Sequence, residues 1–361
     1  MNNSTKRTVL LIFGGMGHEH SVSVSGAETV LPLIDENEYT TIPVYIRKDG
    51  AWMLKNATHT QGYGKSFSVS KLIDEMDTEV SIGRKNSVGG LIKHNGGFIK
   101  ADVAFPLLHG DYGEDGVVQG ALENAGIPYV GCKIAAGVTS LDKAYTKIVA
   151  ESIGIPTAPW TLAIDGSFHY SIKTAFREAE LKLGYPMFVK SAALGSSVGT
   201  YRVSNRDELY EAYRRAVELG GKRVLIEAAV DIFCELECAV LLTAERRIFS
   251  DPSAIVCESG FYDFEAKYNG AGKVTVTASA DVPQDVINRM KSYTEMLSEA
   301  LGTRHLSRFD FFLTENGELI FNEVNTLPGF TRSSMYLTLI KKSGVPEREL
   351  IGLLLRDAIK S

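Results

Sequence analysis

Apolar residues fall in short blocks whose period changes along the chain. Arg7 to Phe13 (RTVLLIF) is nearly continuously apolar and reads as a buried strand, which Gly14-Gly15-Met16-Gly17 turns into a helix near Val22 to Leu33. Tyr39 to Tyr45 is a second strand, and Lys48-Asp49-Gly50 a turn into Ala51 to Leu54. Asn56 to Gly90 is polar with no sustained period, so an irregular peripheral insertion is expected there. Asn95-Gly96-Gly97 closes a small hairpin. Ala101 to Leu108 (ADVAFPLL) has the unbroken apolar run of a parallel strand covered on both faces. A helix over Val117 to Asn124, a strand over Ile127 to Val130 and a helix around Asp142 to Ser152 complete a first α/β lobe.

The two prolines of Ile155-Pro156-Thr157-Ala158-Pro159-Trp160 mark a linker into a second segment. There, strands Met187 to Lys190 and Thr200 to Val203 enclose a Gly/Ser loop. A helix Asp207 to Leu219, strands near Arg223 to Ile226, Glu235 to Leu242 and Arg247 to Ser250, and a helix Gln284 to Leu301 follow. The chain ends in a long hairpin, Leu306 to Asn325, and a mostly helical tail. The fold class is mixed α/β, opening with a parallel lobe.

That hairpin carries the sharpest chemical signal. With Asn316-Gly317 as a two-residue turn, paired positions sum to a constant that sets Asp310 opposite Glu323 and Arg308 opposite Asn325. Period-two alternation then puts all four on one face. Facing carboxylates repel and need a compensating cation, and an oxygen-only set (Asp310, Glu323, Asn325) suits Mg²⁺, which takes its remaining ligands from water and phosphate. Arg308 beside them suits a transferring phosphoryl group. The plainer alternative is a solvated edge hairpin.

The second signal is Lys190-Ser191-Ala192-Ala193-Leu194-Gly195-Ser196-Ser197-Val198-Gly199, whose backbone N–H groups can cover phosphates while Lys190 adds a point charge. It lacks the GxxxxGK[ST] pattern, and by itself it is as well read as a plain turn. The first turn fails the dinucleotide fingerprint, because His20 stands where the third glycine belongs. Glu19 and Ser23 could there hold a small zwitterion, or Glu19 and Ser21 could simply cap the helix. His109-Gly110-Asp111-Tyr112-Gly113-Glu114-Asp115-Gly116 follows a parallel strand at its carboxyl end, where open α/β sheets bind ligands, and there Glu114 and Asp115 are expected to cap the next helix.

Composition narrows the class. The 361 residues are 44% hydrophobic and 23% charged, which excludes collagen, coiled coil and disordered chains. A net charge of -6 argues against a nucleic-acid surface. Val9 to Phe13 is too short for a signal h-region or a membrane span, and the four cysteines lack disulfide or zinc spacing. A cytoplasmic enzyme is expected.

Together, HGDYGEDG (109–116), SLDK (140–143), GSSVG (195–199), FYDFEAKY (261–268), RFD (308–310) and NEVNTLPG (322–329) resemble the D-alanine–D-alanine ligase family of ATP-grasp enzymes, over about Arg7 to Arg356. The resemblance implies three lobes: a substrate-binding lobe at 1–130, a central lobe with the glycine-rich loop at 131–225, and a C-terminal lobe with lid and metal site at 226–361. It implies ATP, two Mg²⁺ ions with Mn²⁺ able to substitute, and a homodimer that binds neither nucleic acid nor membrane. Lys143, Lys190, Ser196, Ser197, Glu227, Glu235 and Asn322 would bind ATP, and Asp310, Glu323 and Asn325 the metal. Glu19, Ser23 and His109 would hold the first D-alanine, with Tyr262, Lys267, Tyr268, Ser334 and Met335 around the second. Glu19, Ser196 and Tyr268 would form the trio closing a lid at Ser259 to Gly272, and Arg308 and the Gly329 N–H would stabilise an oxyanion. The implied reaction makes D-alanyl-D-alanine for peptidoglycan through a D-alanyl phosphate.

Three places depart from the family pattern. KSAALGSS lacks the proline that commonly follows the lysine. One extra residue lies between Glu227 and Glu235, with Ile232-Phe233 where glycine is usual. Arg332 brings a new charge near the acceptor pocket. Val130 to Ala136 and Gly329-Phe330 are similar to resistance-type relatives, which leaves D-alanine–D-serine or D-alanine–D-lactate ligase as the alternative; EAKY favours D-alanine.

Overall fold

The computed structural model describes residues 6–55, 68–169, 171–195, 199–257 and 274–360. Three sheets organise them. In the first, Arg7–Gly14 lies between two parallel neighbours, Tyr39–Ile46 and Val103–Pro106, so its residues from Val9 to Phe13 are fully buried. Trp52–Leu54, Thr78–Lys85, Val88–Lys93 and Phe98–Lys100 extend it antiparallel to seven strands.

The expected irregular insertion is therefore corrected from residue 68 onward, while 56–67 lie outside the described residues. Ser68 caps a helix Val69–Asp74, and two paired strands follow, joined by Asn86-Ser87 with both φ positive. Their glycines are packing requirements and not loop signals: a Cβ on Gly89 would lie 2.5 Å from the Ala125 carbonyl oxygen, and one on Gly90 2.1 Å from that of Ile99. The first helix is His20–Val30, ending in a 3₁₀ turn Leu31–Leu33 at Pro32. The strand expected at Ile127 to Val130 is only an isolated bridge between Tyr129 and Ala104. Ile134–Leu141 forms a helix that the sequence did not announce.

The second sheet is antiparallel, in the order Thr200–Val203, Met187–Ser191, Arg223–Ala228, Trp160–Ile164. Helices Ile172–Lys182 and Arg206–Glu218 cover the face carrying Met187, Val189, Val224 and Ile226. Alternation sends Lys190 and Glu227 to the other face.

In the third sheet Ile232–Leu242 lies between Ser253–Cys257 and His305–Thr314, and Leu319–Asn325 forms the end beyond it. Helix Gln284–Leu301 packs on Cys234, Leu236, Cys238, Phe309 and Phe311. The opposite face is divided. At one end Ala239, Leu241 and Leu306 join a core shared with the first lobe and with helices Met335–Lys342 and Glu347–Lys360. At the other end the same face carries Glu235, Glu237, Arg308 and Asp310. No helix among the described residues is long and apolar enough to cross a membrane.

Candidate active site

A cavity of about 710 Å³ opens where the loops of the first lobe, the central lobe and the third sheet meet, with Glu19, His109, Lys143, Arg308, Glu323 and Gly329 in its wall. The long hairpin supplies its acidic side. Asp310 pairs with Glu323 and Arg308 with Asn325, as expected. The route differs from the two-residue turn. Thr314 and Glu318 bracket a three-residue loop in which Gly317 has φ +76, shifting the register by one. A bulge at Asn322 shifts it back between Phe311 and Asp310. Asn322 thus sits in the irregularity itself.

Sequence reasoning missed Glu237. It faces Asp310 from the neighbouring strand, so Glu237, Asp310 and Glu323 form a row across three strands. Arg308 donates to both Asp310 oxygens at 2.7 and 2.6 Å and meets Glu237 at 3.2 Å. Asn325 donates its amide to Asp310 at 3.1 Å, and Lys143 meets Glu323 at 3.2 Å. Burial pushes Asp310 up to about 6 despite Arg308, with Glu237 and Glu323 adding to the rise. The signal for Glu237 lay in Cys234 and Cys238: with those on the core face, Glu235 and Glu237 must share the other.

This donor set suits Mg²⁺, being all oxygen with more carboxylate than cation around it. Among the described residues, however, no three acidic, His or Cys side chains converge as a formed metal site. Arg308 and Lys143 now answer the charges of Asp310 and Glu323, and Asn325 turns its N–H toward Asp310.

The central lobe supplies Lys143 to the wall and holds a basic cluster of its own. Lys190 meets one Glu227 oxygen at 2.5 Å, and Lys147, also missed, meets the other at 2.6 Å. Burial alone would raise Glu227, but the two lysines hold it at about 2. Lys147 lies on helix Lys143–Ser152, where its spacing resembles any solvated lysine; only the strand bearing Glu227 reveals its role. Asp142 caps that helix through the N–H groups of Ala144 and Tyr145, directing Lys143 toward the loop, where it donates to the Leu194 carbonyl at 2.8 Å. Between Glu227 and Glu235 the strand bulges at Phe233, which is 53% exposed, and Glu235 shares the face of Glu237.

In the first lobe Glu19 is the N-cap of its helix, without a side-chain cap bond, and its carboxylate lies beside Gly110 and Gly195. Ser23 has a different place from that expected. It is fully buried, accepts from the Gly14 N–H at 2.7 Å and donates to the Leu107 carbonyl, so its hydroxyl ties strand ends together. His109 donates from Nδ1 to the Leu327 carbonyl at 2.7 Å, leaving a buried Nε2 without a partner among the described residues. Capping of the Val117–Ala125 helix falls to Asp115 alone; Glu114 instead reaches Thr326 and Leu327. Gly329, Ser334 and Met335 line the cavity, and a Cβ on Gly329 would lie 2.9 Å from Ser334 Oγ. Arg332, expected near the acceptor pocket, is exposed and is not part of the wall. Ser196, Ser197, Tyr262, Lys267 and Tyr268, with the lid at 259–272, lie outside the described residues.

Comparison with known proteins agrees with this geometry. The family model described as D-ala D-ala ligase N-terminus matches residues 8–132, and that described as D-ala D-ala ligase C-terminus matches 149–356. The D-alanine–D-alanine ligase of Chlorobium limicola is 37% identical over 98% of this chain and 97% of its own, and D-alanine–D-alanine ligase A of Mesorhizobium japonicum is 36% identical over 98% of each. Among solved structures, the VanG D-Ala:D-Ser ligase from Enterococcus faecalis superposes with a TM-score of 0.85 at 30% identity over 98% of this chain and 99% of that one. The D-alanine–D-alanine ligase from Coxiella burnetii gives 0.82 at 26% over 98% and 94%. With both halves matched and the three sheets in place, the chain belongs to the D-alanine–D-alanine ligase family of ATP-grasp enzymes.

Proposed function

We propose that the chain uses ATP to join two D-alanine molecules into D-alanyl-D-alanine through a D-alanyl phosphate. The observation that carries this reading is the opposition of charge at one cavity: Lys143 and Arg308 stand in its wall with Glu237 and Glu323, Asp310 backs Arg308, and Lys147 and Lys190 enclose Glu227 on the central lobe. A nucleotide triphosphate with its cation needs both. A carboxylate oxygen of the first D-alanine attacks the γ-phosphorus and ADP leaves. The amine of the second attacks the acyl carbon after losing a proton, and the tetrahedral adduct expels phosphate.

His109 Nε2, buried and without a described partner, is placed with Glu19 to suit the ammonium of the first amino acid. Arg308, clamped by Asp310 and Glu237, cannot swing away, and with the Gly329 N–H it suits the oxyanion; one such donor is typically worth about 10²–10³ in turnover. Lys143 and Lys190 hold the phosphates, Glu227 and Glu235 the nucleoside, Asn322 the metal-bound end of ATP, and Ser334 and Met335 the second substrate. Mg²⁺, when bound by Asp310, Glu323 and Asn325, neutralises phosphate charge. Ser196, Ser197, Tyr262, Lys267 and Tyr268 keep the lid and acceptor roles implied by resemblance, because an acyl phosphate must be kept from water. Ser23 acts by holding the strand ends. A homodimer, a cytoplasmic setting and lobe limits near 130 and 225 belong to the same proposal, with strand Arg223–Ala228, which pairs within the central sheet, straddling the second limit.

The relatives quoted above at 36–37% identity bear D-alanine–D-alanine names, which supports D-alanine as acceptor. The test is phosphate release from ATP and Mg²⁺ with D-alanine alone and then with D-serine or D-lactate added, the products identified by mass. Predominant D-alanyl-D-alanine upholds the reading. A predominant mixed product would move the chain to the D-serine or D-lactate branch, and no release with any pair would sink the ligase reading.

A further inference from the structure

Glu114 is buried, only 7% exposed where it borders the cavity, and among the described residues no lysine or arginine pairs with it. Its carboxylate is met only by neutral donors. Oε1 accepts from the Thr326 N–H at 2.7 Å, the Thr326 hydroxyl at 3.0 Å and the Leu327 N–H at 2.8 Å; Oε2 accepts from the Gly110 N–H at 3.0 Å. Burying a carboxylate without a cation costs several kcal/mol, so a residue kept in this state needs a reason beyond linking two loops.

The reason lies in what the four donors flank. The Gly110 N–H directly follows His109, and the Leu327 N–H belongs to the residue whose carbonyl receives His109 Nδ1–H at 2.7 Å. Glu114 therefore grips both ends of one hydrogen bond, between loops 218 positions apart in sequence. A carbonyl can only accept, so Nδ1 carries a proton, and in the neutral ring Nε2 then presents its lone pair. That Nε2 is buried and has no described partner, and the histidine lines the cavity. A neutral imidazole acceptor, fixed in tautomer and direction, is what the ammonium of an amino acid requires.

We infer that Glu114 is a positioning residue: it locks the His109–Leu327 pair across the first and last lobes and thereby sets how tightly the first amino-acid substrate is held. This rests on the ligase reading above. Glutamine in its place keeps shape and most of the acceptor contacts but must set an N–H against either the Gly110 N–H or the donors of Thr326 and Leu327, so E114Q breaks the grip without emptying the site.

The experiment compares wild type, E114Q, H109Q and the double variant in steady-state kinetics. Expected is a Michaelis constant for the first D-alanine raised about tenfold by E114Q, with that for ATP within about twofold, since tenfold corresponds to loss of roughly one oriented contact. In the H109Q background E114Q should add less than about twofold, because residues acting through one another are not additive. Histidine ¹⁵N spectra provide a readout apart from turnover: the Nδ1–H tautomer signature of His109 should weaken in E114Q. An unchanged first-site constant, full additivity or an unchanged His109 spectrum in folded E114Q would overturn the inference. Should E114Q not fold, T326V removes one donor only; a first-site constant raised about threefold upholds the lock and an unchanged one overturns it. If wild type itself releases no phosphate with D-alanine, the ligase reading fails, and the lock is then judged on the His109 spectrum alone.

Discussion

Glu227 and Asp310 both lie buried on the sheet face opposite the helix-packed core, and burial leads them to opposite ends of the scale. Glu227 is the single carboxylate between two lysines and is held at about 2. Asp310 is one of three carboxylates sharing Arg308 and Lys143, and rises to about 6. Desolvation disfavours both ions; the ratio of partner charges decides the outcome. The central lobe thus carries surplus positive charge and the hairpin surplus negative charge. One suits polyphosphate and the other a divalent cation.

Neutralising each carboxylate in turn should break the comparison in opposite ways. D310N is expected to lower Mg²⁺-dependent turnover by about 10³-fold while changing stability by no more than about 1 kcal/mol, since it removes a charge that the fold hardly stabilises. Phosphate-release kinetics beside urea unfolding check both numbers, and a large loss of stability would show that Asp310 is a structural ion-pair partner first. E227Q should act the other way. It strands two buried lysines, so unfolding free energy should fall by roughly 3–5 kcal/mol. A stability loss below that of a surface substitution would mean the lysines find other partners.

Acid titration separates the two sites within one wild-type molecule. Glu227 has its folded value below the ordinary 4.5, so its stabilisation is full above 4.5 and is lost as pH falls toward about 2. Asp310 has its folded value above the ordinary 3.8, so the native state binds the extra proton between 3.8 and about 6, and stability falls as pH rises through that window. In urea midpoints measured against pH, D310N should flatten the descending limb and E227Q the ascending one. Both variants leaving the curve unchanged would remove the electrostatic account of the cavity.

The sequence was most legible where chemistry and period coincide. The facing acids of the hairpin were found because Asp310, Glu323, Arg308 and Asn325 share a face; the assumed turn was one residue short, and the bulge at Asn322 restored the register. The segment after residue 68 was opaque for a physical reason: Gly89 and Gly90 are demanded by neighbouring backbone, yet in one dimension glycine reads as loop. Lys147 and Glu114 were opaque because their partners lie 80 and 212 positions away, and nothing local distinguishes a buried lysine or acid from a solvated one. Glu237 is within reach of the alternation around Cys234 and Cys238, one pleat beyond Glu235.

The smallest expected effect concerns that same strand. Between Ile232, opposite Thr314, and Cys234, opposite Leu313, Phe233 has no paired position of its own, and it is 53% exposed. Deleting Phe233 should let Ile232 and Cys234 become consecutive across consecutive partners, with no slip for anything from Glu235 onward. A register slip of one residue would turn Glu235 and Glu237 into the helix-packed core and Cys234 and Cys238 toward the cavity, which no fold of this sheet could absorb. The two outcomes are far apart. Stability within about 0.5 kcal/mol of wild type, as for an exposed side chain, and an ATP Michaelis constant within about twofold would show that the extra residue is confined to the bulge. Loss of folding would show that the bulge twists the strand end into place, making it part of how Glu235 is set on its face.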